Sequence, residues 1–317
     1  MKKIIILKHN NGRLGNQLWN YISVYAFCLE KKYLCLNYSF FKYDKYFNIK
    51  DKNLLYRSFL WCYRLSRLIK LNGFMERIYN RCVSLIIKFR PQKIVNSGGE
   101  NSNNGIFYLP PTPAGPAADL SAMEKITSNE KMYFNYQAGW PFRNPVGIEK
   151  YREQIKKYFL PKLAIRQPAE KLINSLKDRY GHIVGVHLRQ GDYKNRFMDG
   201  ELYFTENQIA EILKQYLANF NRTAAETCFI ICSDGPINRS AFENLNIALA
   251  PGEVMTDLHL LALTDIIIGS DSTFGSFASY YGNIPHIVFT KPEIDWPYYK
   301  NKNNYFINKY STVTKLN

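Results

Sequence analysis

The second half of the chain alternates between two patterns of apolar residues. Runs rich in β-branched residues predict short strands at 183–189, 228–232, 265–269 and 286–289. Apolar residues at three- and four-residue spacings predict the helices between them, at 168–179, 205–218, 257–264 and 274–282. Strands that alternate with helices form βαβ units around a parallel sheet. The pattern therefore predicts an α/β domain whose ligands bind beyond the carboxyl ends of its strands.

The first half of the chain is less regular. The run IIIL at 4–7 predicts a strand, and residues 16–32 predict a helix. Residues 96–120 are polar and rich in glycine and proline, so we expect a loop there. The change of pattern predicts an N-terminal domain over 1–150 and a C-terminal domain over 151–317, with last residues that can pack back on the first domain.

Three of the predicted strands end in polar residues. These are His187, Arg189 and Asp192 in HLRQGDY, Ser233 and Asp234 in CSDG, and Ser270, Ser272 and Thr273 in GSDSTFGS. Because parallel strands end at the same edge of a sheet, we expect these side chains to gather in one crevice.

Arg189 is the most informative of these residues. A guanidinium is a rigid, permanently charged fork that matches phosphate oxygens, although a salt bridge to Asp192 or another acid is the structural alternative. The hydroxyls of Ser270, Ser272 and Thr273 precede a predicted helix, whose N-terminus can bind an anion or can simply be capped by them. Together the two features predict a clamp for a diphosphate.

The roles of His187 and Asp234 stay open from sequence alone. His187 is either a ligand contact or a core histidine with its hydrogen bonds satisfied within the protein. Asp234 either accepts from a ribose or base or is an ordinary turn residue.

The N-terminal stretch HNNGRLGNQ forms a second strand–loop–helix junction. Gly12 and Gly15 permit close approach of a ligand to the backbone, and Asn16 and Gln17 offer amide groups. The alternative is a tight turn in which Asn16 caps the helix.

The chain carries 42 Lys and Arg against 26 Asp and Glu, a net charge of +16. Nine basic residues and one acid, Glu76, fall within residues 54–93, interleaved with aromatic and aliphatic side chains. This segment predicts one or two basic amphipathic helices, which either contact an anionic membrane or pack on the core with a solvated basic rim. Such clustering, without any nucleic-acid-binding motif, disfavours a nucleic-acid-binding protein.

The remaining composition excludes several other classes. The six cysteines show no metal-ligand spacing and no disulfide framework, and we expect no metal and no cofactor. The N-terminus has only four consecutive apolar residues, too few for a signal peptide, so we expect a cytoplasmic protein.

Four short motifs, in order, resemble the α-1,2-fucosyltransferases of glycosyltransferase family 11, within the wider fucosyltransferase clan. The family's G-[GR]-[LF]-G-N-Q is similar to Gly12–Gln17, and its H-x-R-R-x-D-Y to His187–Tyr193. Its S-D motif is similar to Ser233–Asp234, and its S-x-S-T-F run to Ser270–Phe274. The resemblance implies a GT-B type fold, with two Rossmann-like domains facing a cleft and GDP-fucose held mainly by the C-terminal one.

The resemblance also implies roles for individual residues. Arg189 contacts the β-phosphate, and Ser272, Thr273 and Phe274 line the diphosphate and nucleoside site. His187 and Asp234 help to hold the nucleoside, and Asn16 faces the cleft near the sugar. Ser233, Ser270 and Gly15 complete the expected donor-binding set.

Two positions depart from the family pattern. Gln190 replaces the second arginine of the family's R-R pair, and Asn20 stands where several relatives have Glu or Gln. Asn20 cannot act as a general base, and Asp192, Asp199 and Glu201 are the acids near the central motif. The candidate catalytic residues are Arg189, Asn16 and Asp192.

The function implied is metal-independent, inverting transfer of L-fucose from GDP-fucose to the 2-hydroxyl of a galactose-containing acceptor. We expect that acceptor in a bacterial surface glycan such as an O-antigen, either free or lipid-linked. Peripheral contact with an anionic membrane stays one of the two interpretations of residues 54–93. The alternatives are a GT-B enzyme using another nucleotide sugar and, less favoured, the nucleic-acid-binding protein.

Overall fold

The structure is a computed structural model of the 317-residue chain. It describes residues 4–9, 12–37, 40–49, 54–71, 73–78, 81, 94–95, 101–102, 106–109, 118–120, 132–136, 142–194, 202–289, 293–301 and 304. The chain divides into two compact units, Met1–Leu160 and Pro161–Asn308. The expected return of the last residues to the first unit concerns 309–317, which lie outside the described residues.

The first unit is built on a parallel sheet. Its first elements are β1 (Ile4–His9), α1 (Leu14–Lys31), β2 (Leu34–Asn37) and α2 (Leu54–Leu68). Short strands follow as β3 (Ile94–Val95), β4 (Asn101–Ser102), β5 (Ile106–Leu109), β6 (Ala118–Asp119), β7 (Met132–Tyr136) and β8 (Phe142–Arg143). Helices α3 (Pro145–Lys150) and α4 (Arg152–Tyr158) end the unit. The main sheet has the order β2-β1-β7-β5 with parallel pairings, a Rossmann-like arrangement.

The loop predicted over 96–120 is wrong in part, because β4, β5 and β6 lie within it. β5 pairs in parallel with β7 from Ile106–Tyr133 to Leu109–Tyr136 and forms the edge of the main sheet. A four-residue apolar run between glycine- and proline-rich segments gives too little periodicity to distinguish an edge strand from a loop. Its pairing partner is supplied by residues about 25 positions further along the chain.

The first unit extends to Leu160, ten residues beyond the predicted boundary at 150. The reason is aromatic packing by the end of α4. Tyr158 stacks on Tyr25 at 4.1 Å between ring centroids, and its hydroxyl lies 3.1 Å from that of Tyr21. Phe159, which is fully buried, packs edge-on against Tyr21 at 4.9 Å. These rings tie residues 151–159 to α1.

The second unit contains the predicted βαβ alternation. It begins with α5 (Leu163–Lys177), β9 (His182–Leu188), α6 (Glu206–Asn219), β10 (Thr227–Ser233) and β11 (Asn246–Leu249). It continues with α7 (Val254–Leu261), β12 (Ile266–Gly269), α8 (Thr273–Gly282), β13 (His286–Val288) and α9 (Trp296–Lys300). Every pairing in its five-stranded sheet is parallel, in the order β11-β10-β9-β12-β13.

The three central strands of the second sheet, β9, β10 and β12, are buried almost throughout. All seven residues of β9 are buried, which explains the apolar run at its centre, 183–186. Gly185 in this strand allows close packing, because a Cβ there would stand 2.8 Å from Leu261 Cδ2 and 2.9 Å from Thr264 Oγ1. No described helix has the length and apolar character to cross a membrane.

Candidate functional site

The three strands that end in polar residues are neighbours in the second sheet. β9 lies between β10 and β12, and Leu188 pairs with Ser233 while His187 pairs with Gly269. Since all three run in the same direction, their carboxyl ends meet at one edge. The predicted convergence of the HLRQGDY, CSDG and GSDSTFGS segments is therefore present in the structure.

Arg189 is held by Asp192 through a bidentate ion pair. Nε donates to Oδ1 at 2.8 Å and Nη2 donates to Oδ2 at 2.7 Å, while the side chains remain 21% and 26% exposed. Two of the five N–H bonds are used in this way, and no described residue accepts from Nη1. Burial opposes the charge of Arg189, but the hydrogen bonds to Asp192 and nearby negative charges outweigh it and raise the pKa.

The guanidinium is further oriented by the ring of Tyr193. The Arg189 Cζ atom lies 4.6 Å from that ring's centroid, a cation–π distance. The buried Tyr193 donates its hydroxyl to the backbone oxygen of Asp271 at 2.6 Å, linking the loop after β9 to the loop after β12. Burial raises the pKa of Tyr193, so the phenol keeps the proton that it donates. Arg189 is thus fixed beside the segment that leads into α8.

Ser270, Ser272 and Thr273, the three hydroxyl residues at the start of α8, are buried. Ser270 Oγ accepts from the backbone N–H of Arg189 at 3.0 Å, and its own N–H donates to the oxygen of His187 at 2.9 Å. Ser272 is the N-cap of α8 and accepts from the N–H of Phe274 at 3.2 Å. Thr273 is the first helical residue and is 6% exposed. The N-terminus of α8 therefore begins directly beside the Arg189 loop, as an anion site requires.

His187 is buried but its hydrogen bonds are not satisfied within the protein. Its ring stacks on Phe274 at 5.1 Å, and no described residue forms a hydrogen bond with its Nδ1. His286 at the start of β13 is also buried, and its Nε2 likewise has no partner in the described part of the chain. A Cβ on Gly275 would lie 3.2 Å from the first of these nitrogens and 3.4 Å from the second. Two neutral imidazoles therefore flank the first turn of α8.

The charge state of both imidazoles is set by their surroundings. Burial, followed by the proximity of His286, lowers the pKa of His187 to about 3. Burial also lowers the pKa of His286 to about 4. Both rings are consequently neutral at physiological pH and can accept or donate a hydrogen bond without adding charge to the site.

Asp234 acts on the loop of the central motif. Its Oδ1 accepts from the backbone N–H of Gln190 at 2.7 Å and from that of Gly191 at 3.0 Å. Ser233 Oγ accepts from the N–H of Gly235 at 3.1 Å and lies 3.5 Å from Gln190 Oε1. Oδ1 of Asp234 therefore has the structural role expected of a turn residue. The contact of Asp234 with a nucleoside stays a prediction.

Gln190 occupies the place of the family's second arginine. The residue is buried, with Nε2 3.4 Å from Glu206 Oε1. A Cβ on Gly235 would stand 2.5 Å from Gln190 Oε1. The amide is thus enclosed by Ser233, Gly235 and Glu206, as part of the support beneath the loop.

Gly15 and Asn16 belong to the first unit, in the first turn of α1. The N-cap of this helix is Arg13, whose side chain makes no capping hydrogen bond, so Asn16 does not cap the helix. Gly15 is buried and Asn16 is partly exposed, and no described residue hydrogen-bonds to the Asn16 amide. The preceding Gly12 has φ 119°, a conformation that favours glycine, and its oxygen accepts from Gln17 Nε2 at 3.0 Å.

Asn20, one turn later, has a structural role. It is fully buried, and its Oδ1 accepts from the backbone N–H of Phe142 at 3.2 Å. The conclusion that this residue is not a general base agrees with that position. Of the acids near the central motif, Asp199 and Glu201 lie outside the described residues.

Sequence reasoning missed Tyr193 and His286 as parts of this site. Tyr193 lies within the quoted motif, and its position after Asp192 was a usable signal. His286 begins a short strand about 100 residues from His187, and nothing in the local sequence connects them. Within the described part of the chain, no group of three or more His, Cys, Asp or Glu side chains is placed to hold a metal ion.

Solved structures with a similar fold were found, although neither a protein-family model nor a curated protein sequence matches the chain. The structure is similar to a FUT1 mutant of Arabidopsis thaliana in complex with GDP, with TM-score 0.54, 13% identity and coverage of 92% of this chain and 72% of that one. It is also similar to NodZ α-1,6-fucosyltransferase soaked with GDP-fucose, with TM-score 0.51, 13% identity and coverage of 93% and 97%. NodZ from Bradyrhizobium gives TM-score 0.50, 14% identity and the same coverage.

The chain has the fold of these fucosyltransferases. The predicted fold class, an α/β fold of the GT-B type, is confirmed. The narrower resemblance to the α-1,2 family stays a prediction, since one of these neighbours is an α-1,6-fucosyltransferase.

Proposed function

We propose that this protein is an inverting α-1,2-fucosyltransferase that transfers L-fucose from GDP-fucose to the 2-hydroxyl of a galactosyl acceptor. The observation that carries the proposal is the fixed position of Arg189 beside the N-terminus of α8, at the edge where three parallel strands end. Of the solved neighbours of the same fold, one is in complex with GDP and one was soaked with GDP-fucose. The motif resemblance supports the finer assignment of linkage and acceptor.

The donor diphosphate is proposed to lie between Arg189 and the start of α8. The Nη1 edge of the guanidinium, opposite the edge bound to Asp192, is suited to a phosphate oxygen. The helix N-terminus adds backbone N–H groups and a partial positive charge. His187 and Phe274, whose rings stack at 5.1 Å, are proposed to line the nucleoside part of the site with Asp234.

The main catalytic task proposed for this site is to stabilise the GDP leaving group. The bond between fucose C1 and the β-phosphate oxygen breaks, and its electron pair leaves with GDP. A new bond forms from the acceptor hydroxyl to C1 on the opposite face, and the hydroxyl proton passes to a base or to water. A positive group already aimed at the developing charge is the largest contribution expected of the protein.

Asp192 is proposed to position the arginine. Both of its oxygens accept from Arg189, which leaves the carboxylate poorly disposed to take a proton from an acceptor. Holding the guanidinium in one orientation reduces the ordering that donor binding would otherwise require. The Asp192→Asn variant keeps an acceptor oxygen and should transfer fucose more slowly than the parent but faster than an Arg189→Ala variant.

The acceptor side is proposed from the resemblance and from the Asn16 amide, which forms no hydrogen bond with a residue that the structure describes. That amide can hydrogen-bond to an acceptor hydroxyl and orient it. We expect the acceptor to belong to a bacterial surface glycan, free or lipid-linked. No metal is proposed, and the reaction is expected to proceed unchanged in the presence of EDTA.

The first test is a thermal-shift panel with GDP, GDP-fucose, GDP-mannose and UDP-sugars. The correct ligand stabilises by RT ln(1 + [L]/Kd), about 2.7 kcal/mol at one hundred times Kd. A shift with GDP and GDP-fucose alone supports the proposal. A larger shift with GDP-mannose or a UDP-sugar would instead favour an enzyme of the same fold with another donor. This alternative is tested because the buried Gln190 replaces the second arginine of the family motif, so one positive charge is missing.

The second test is analysis of the product. The protein is incubated with GDP-fucose and a galactoside, and NMR of the purified product identifies the linkage. An α-fucosyl group on the galactose 2-hydroxyl supports the full proposal. A fucosyl group at another hydroxyl retains the fucosyltransferase assignment and contradicts the linkage, and loss of transfer with EDTA that Mn²⁺ restores contradicts metal independence.

A further inference from the structure

The first unit has an exposed apolar surface that shares no residue with the site at the ends of β9, β10 and β12, which we call the strand-end site. Seven of the twelve large hydrophobic side chains that are exposed among the described residues lie between positions 61 and 78. They are Trp61, Leu65, Leu68, Ile69, Leu71, Phe74 and Ile78. We call the exposed residues between 57 and 81 the α2 surface. Such a concentration of apolar side chains marks an interaction site.

Helix α2 is already anchored by a different face. Leu60 and Tyr63 are buried and form a small core with Phe41, whose ring lies 4.9 Å from that of Tyr63. Trp61, Leu65 and Leu68 follow an i, i+4, i+7 spacing and share another face, where they are 64%, 43% and 80% exposed. The core-packing interpretation of this segment therefore accounts for one face of the helix only. The second apolar face is not needed to hold the helix in place.

The same surface is strongly basic. Six Lys or Arg residues lie between 57 and 81, namely Arg57, Arg64, Arg67, Lys70, Arg77 and Arg81, and all are exposed. Among the described residues only Arg64 contacts an acid, with Nη2 3.7 Å from Asp44 Oδ2. The one acid of the segment, Glu76, is engaged by Lys42 and by the hydroxyl of Tyr63, each at 2.8 Å.

We propose that the α2 surface docks on an anionic lipid bilayer. Trp61, Leu65 and Leu68 enter the boundary between headgroups and acyl chains, and the basic side chains pair with lipid phosphates. A membrane can bind both the apolar and the basic side chains of the α2 surface. A nucleic acid would use the charge but leave the aliphatic side chains in water, and a second copy would bring two clusters of like charge together.

The proposal does not depend on fucosyl transfer, since it uses no residue of the strand-end site. It adds a location to the proposed function, because an enzyme held on a bilayer reaches lipid-linked acceptors at a high effective concentration. Loss of membrane binding with intact transfer to a free galactoside would leave the proposed function standing, and the reverse result would leave the docking proposal standing.

The binding test uses sedimentation with vesicles of phosphatidylcholine alone or with about one third phosphatidylglycerol. We expect binding to the anionic vesicles only, lost as ionic strength rises from about 0.1 M to about 1 M, where the Debye length falls from about 10 Å to about 3 Å. Each basic residue near the surface contributes a factor of about five, so the Arg57→Gln and Arg67→Gln pair should weaken binding by on the order of tenfold or more.

The contribution of the apolar side chains to membrane binding is tested by Trp61→Ser with Leu68→Ser, which leaves the net charge unchanged. Partitioning should fall by on the order of tenfold or more, because the buried apolar area is lost. The matched control is Leu163→Ser with Val254→Ser, two exposed hydrophobic residues of the second unit that are 60% and 47% exposed, and this pair should bind as the parent does. Equal unfolding midpoints in urea establish that both pairs fold, as expected for exposed positions.

Cys62 offers a direct report of the contact. It is exposed on α2, whereas Cys28, Cys35, Cys228 and Cys232 are buried. With Cys82 replaced by serine, a polarity-sensitive fluorophore on Cys62 should shift to the blue on anionic vesicles. The proposal is overturned by equal binding to neutral vesicles or by an unchanged emission of the fluorophore. It is also overturned if the Arg57/Arg67 pair and the Trp61/Leu68 pair of substitutions both leave binding intact, or if the protein is a dimer in solution that Trp61→Ser with Leu68→Ser dissociates.

Discussion

The two strand–loop–helix junctions of the molecule treat their polar side chains in opposite ways. After β9, Arg189 is bonded to Asp192 and its backbone to Ser270, and Asp234 holds the following loop. After β1, the Asn16 amide has no hydrogen bond to a described residue, and Gln17 Oε1 is buried without a partner. The charged side chains of the first junction are organised before any ligand arrives, although His187 Nδ1 there has no partner among the described residues, whereas at the second junction it is the Asn16 amide and Gln17 Oε1 that have hydrogen-bonding capacity left.

This difference corresponds to the two demands of the proposed reaction. A site that stabilises leaving-group charge gains most when its charged group is fixed in advance, because no reorganisation is then required during reaction. An acceptor subsite gains from groups that are unpaired until the acceptor supplies their partner. The comparison predicts that changes at the first junction affect both stability and rate, and that changes at the second affect acceptor use alone.

The largest effect is expected from Arg189→Ala. Loss of the group aimed at the leaving phosphate should lower kcat by about 10² to 10³, equivalent to about 3–4 kcal/mol. Steady-state kinetics with GDP-fucose and a galactoside measure it. Arg239→Ala is the control, since Arg239 is exposed in the same unit, and its activity should match the parent. A decrease of less than tenfold for Arg189→Ala would mean that the organised junction does not carry the chemistry.

The next effect concerns the contact between β9 and β12. A Cβ on Gly269 would lie 2.5 Å from the backbone oxygen of His187 and 2.9 Å from its Cβ, so Gly269→Ala must separate the two strands. We expect a loss of about 3 kcal/mol in the free energy of unfolding, measured in urea, with weaker GDP binding.

The control for this change is Gly181→Ala. A Cβ at Gly181 has no atom within 4 Å, so the substitution should leave stability within about 1 kcal/mol of the parent. Equal effects at the two glycines would show that the junction adapts to an added methyl group and is less rigid than its hydrogen bonds suggest.

The second sheet and the strand-end residues could be predicted because they follow from burial. A parallel strand covered on both faces must be apolar throughout, so β9 and β10 stand out as continuous runs that end abruptly in polar residues. The grouping of Arg189, Ser270 and Asp234 then follows from parallel topology. This grouping could be predicted without knowledge of any tertiary contact between the three residues.

Other features depend on tertiary contacts that local patterns do not encode. Strand β11, with every residue only partly buried, has no continuous apolar run and was not predicted. Helix α5 begins at Leu163, five residues before the predicted start, and accommodates Pro168 in its interior. His187 and His286 both lie beside Gly275 of α8, although they are distant in sequence. The local sequence around Asn16 does not indicate that its amide has no hydrogen bond to a described residue.

Acid should weaken the organised junction. His187 and His286 have pKa values of about 3 and about 4 in the folded protein, below the unfolded value near 6.5. The unfolded chain therefore binds more protons as pH falls through 6.5, and stability is lost on acidification. From pH 7 to pH 5 each histidine costs about 2 kcal/mol.

One buried acid opposes this trend. Burial raises the pKa of Asp257 to about 6, so its protonation favours the folded state between pH 6 and 4 and offsets about 1 kcal/mol. The pKa of His259 is also lowered by burial, which acts in the same direction as the other two histidines. We expect a net loss of about 2–3 kcal/mol, measured by urea unfolding at the two pH values. His286→Gln, which cannot titrate, should remove about 2 kcal/mol, most of the net acid effect, and an unchanged pH dependence would contradict the assignment.

The smallest effect is expected for the stability of Asn16→Ala, and it tests the second junction. Because the amide makes no hydrogen bond within the described structure, its removal should change the free energy of unfolding by no more than about 0.5 kcal/mol. Asn20→Ala, one turn later on α1, is the matched control. It removes the acceptor for the Phe142 N–H and should cost about 1–3 kcal/mol.

The kinetic consequence of Asn16→Ala should be confined to the acceptor. Loss of one neutral hydrogen bond corresponds to a rise of about two- to tenfold in the acceptor KM, with the KM for GDP-fucose unchanged. Equal changes in both KM values would place Asn16 on the donor instead. A large loss of stability in this variant would show that the amide is bonded within the protein, and the contrast between the two junctions would then disappear, because both would be organised before a ligand binds.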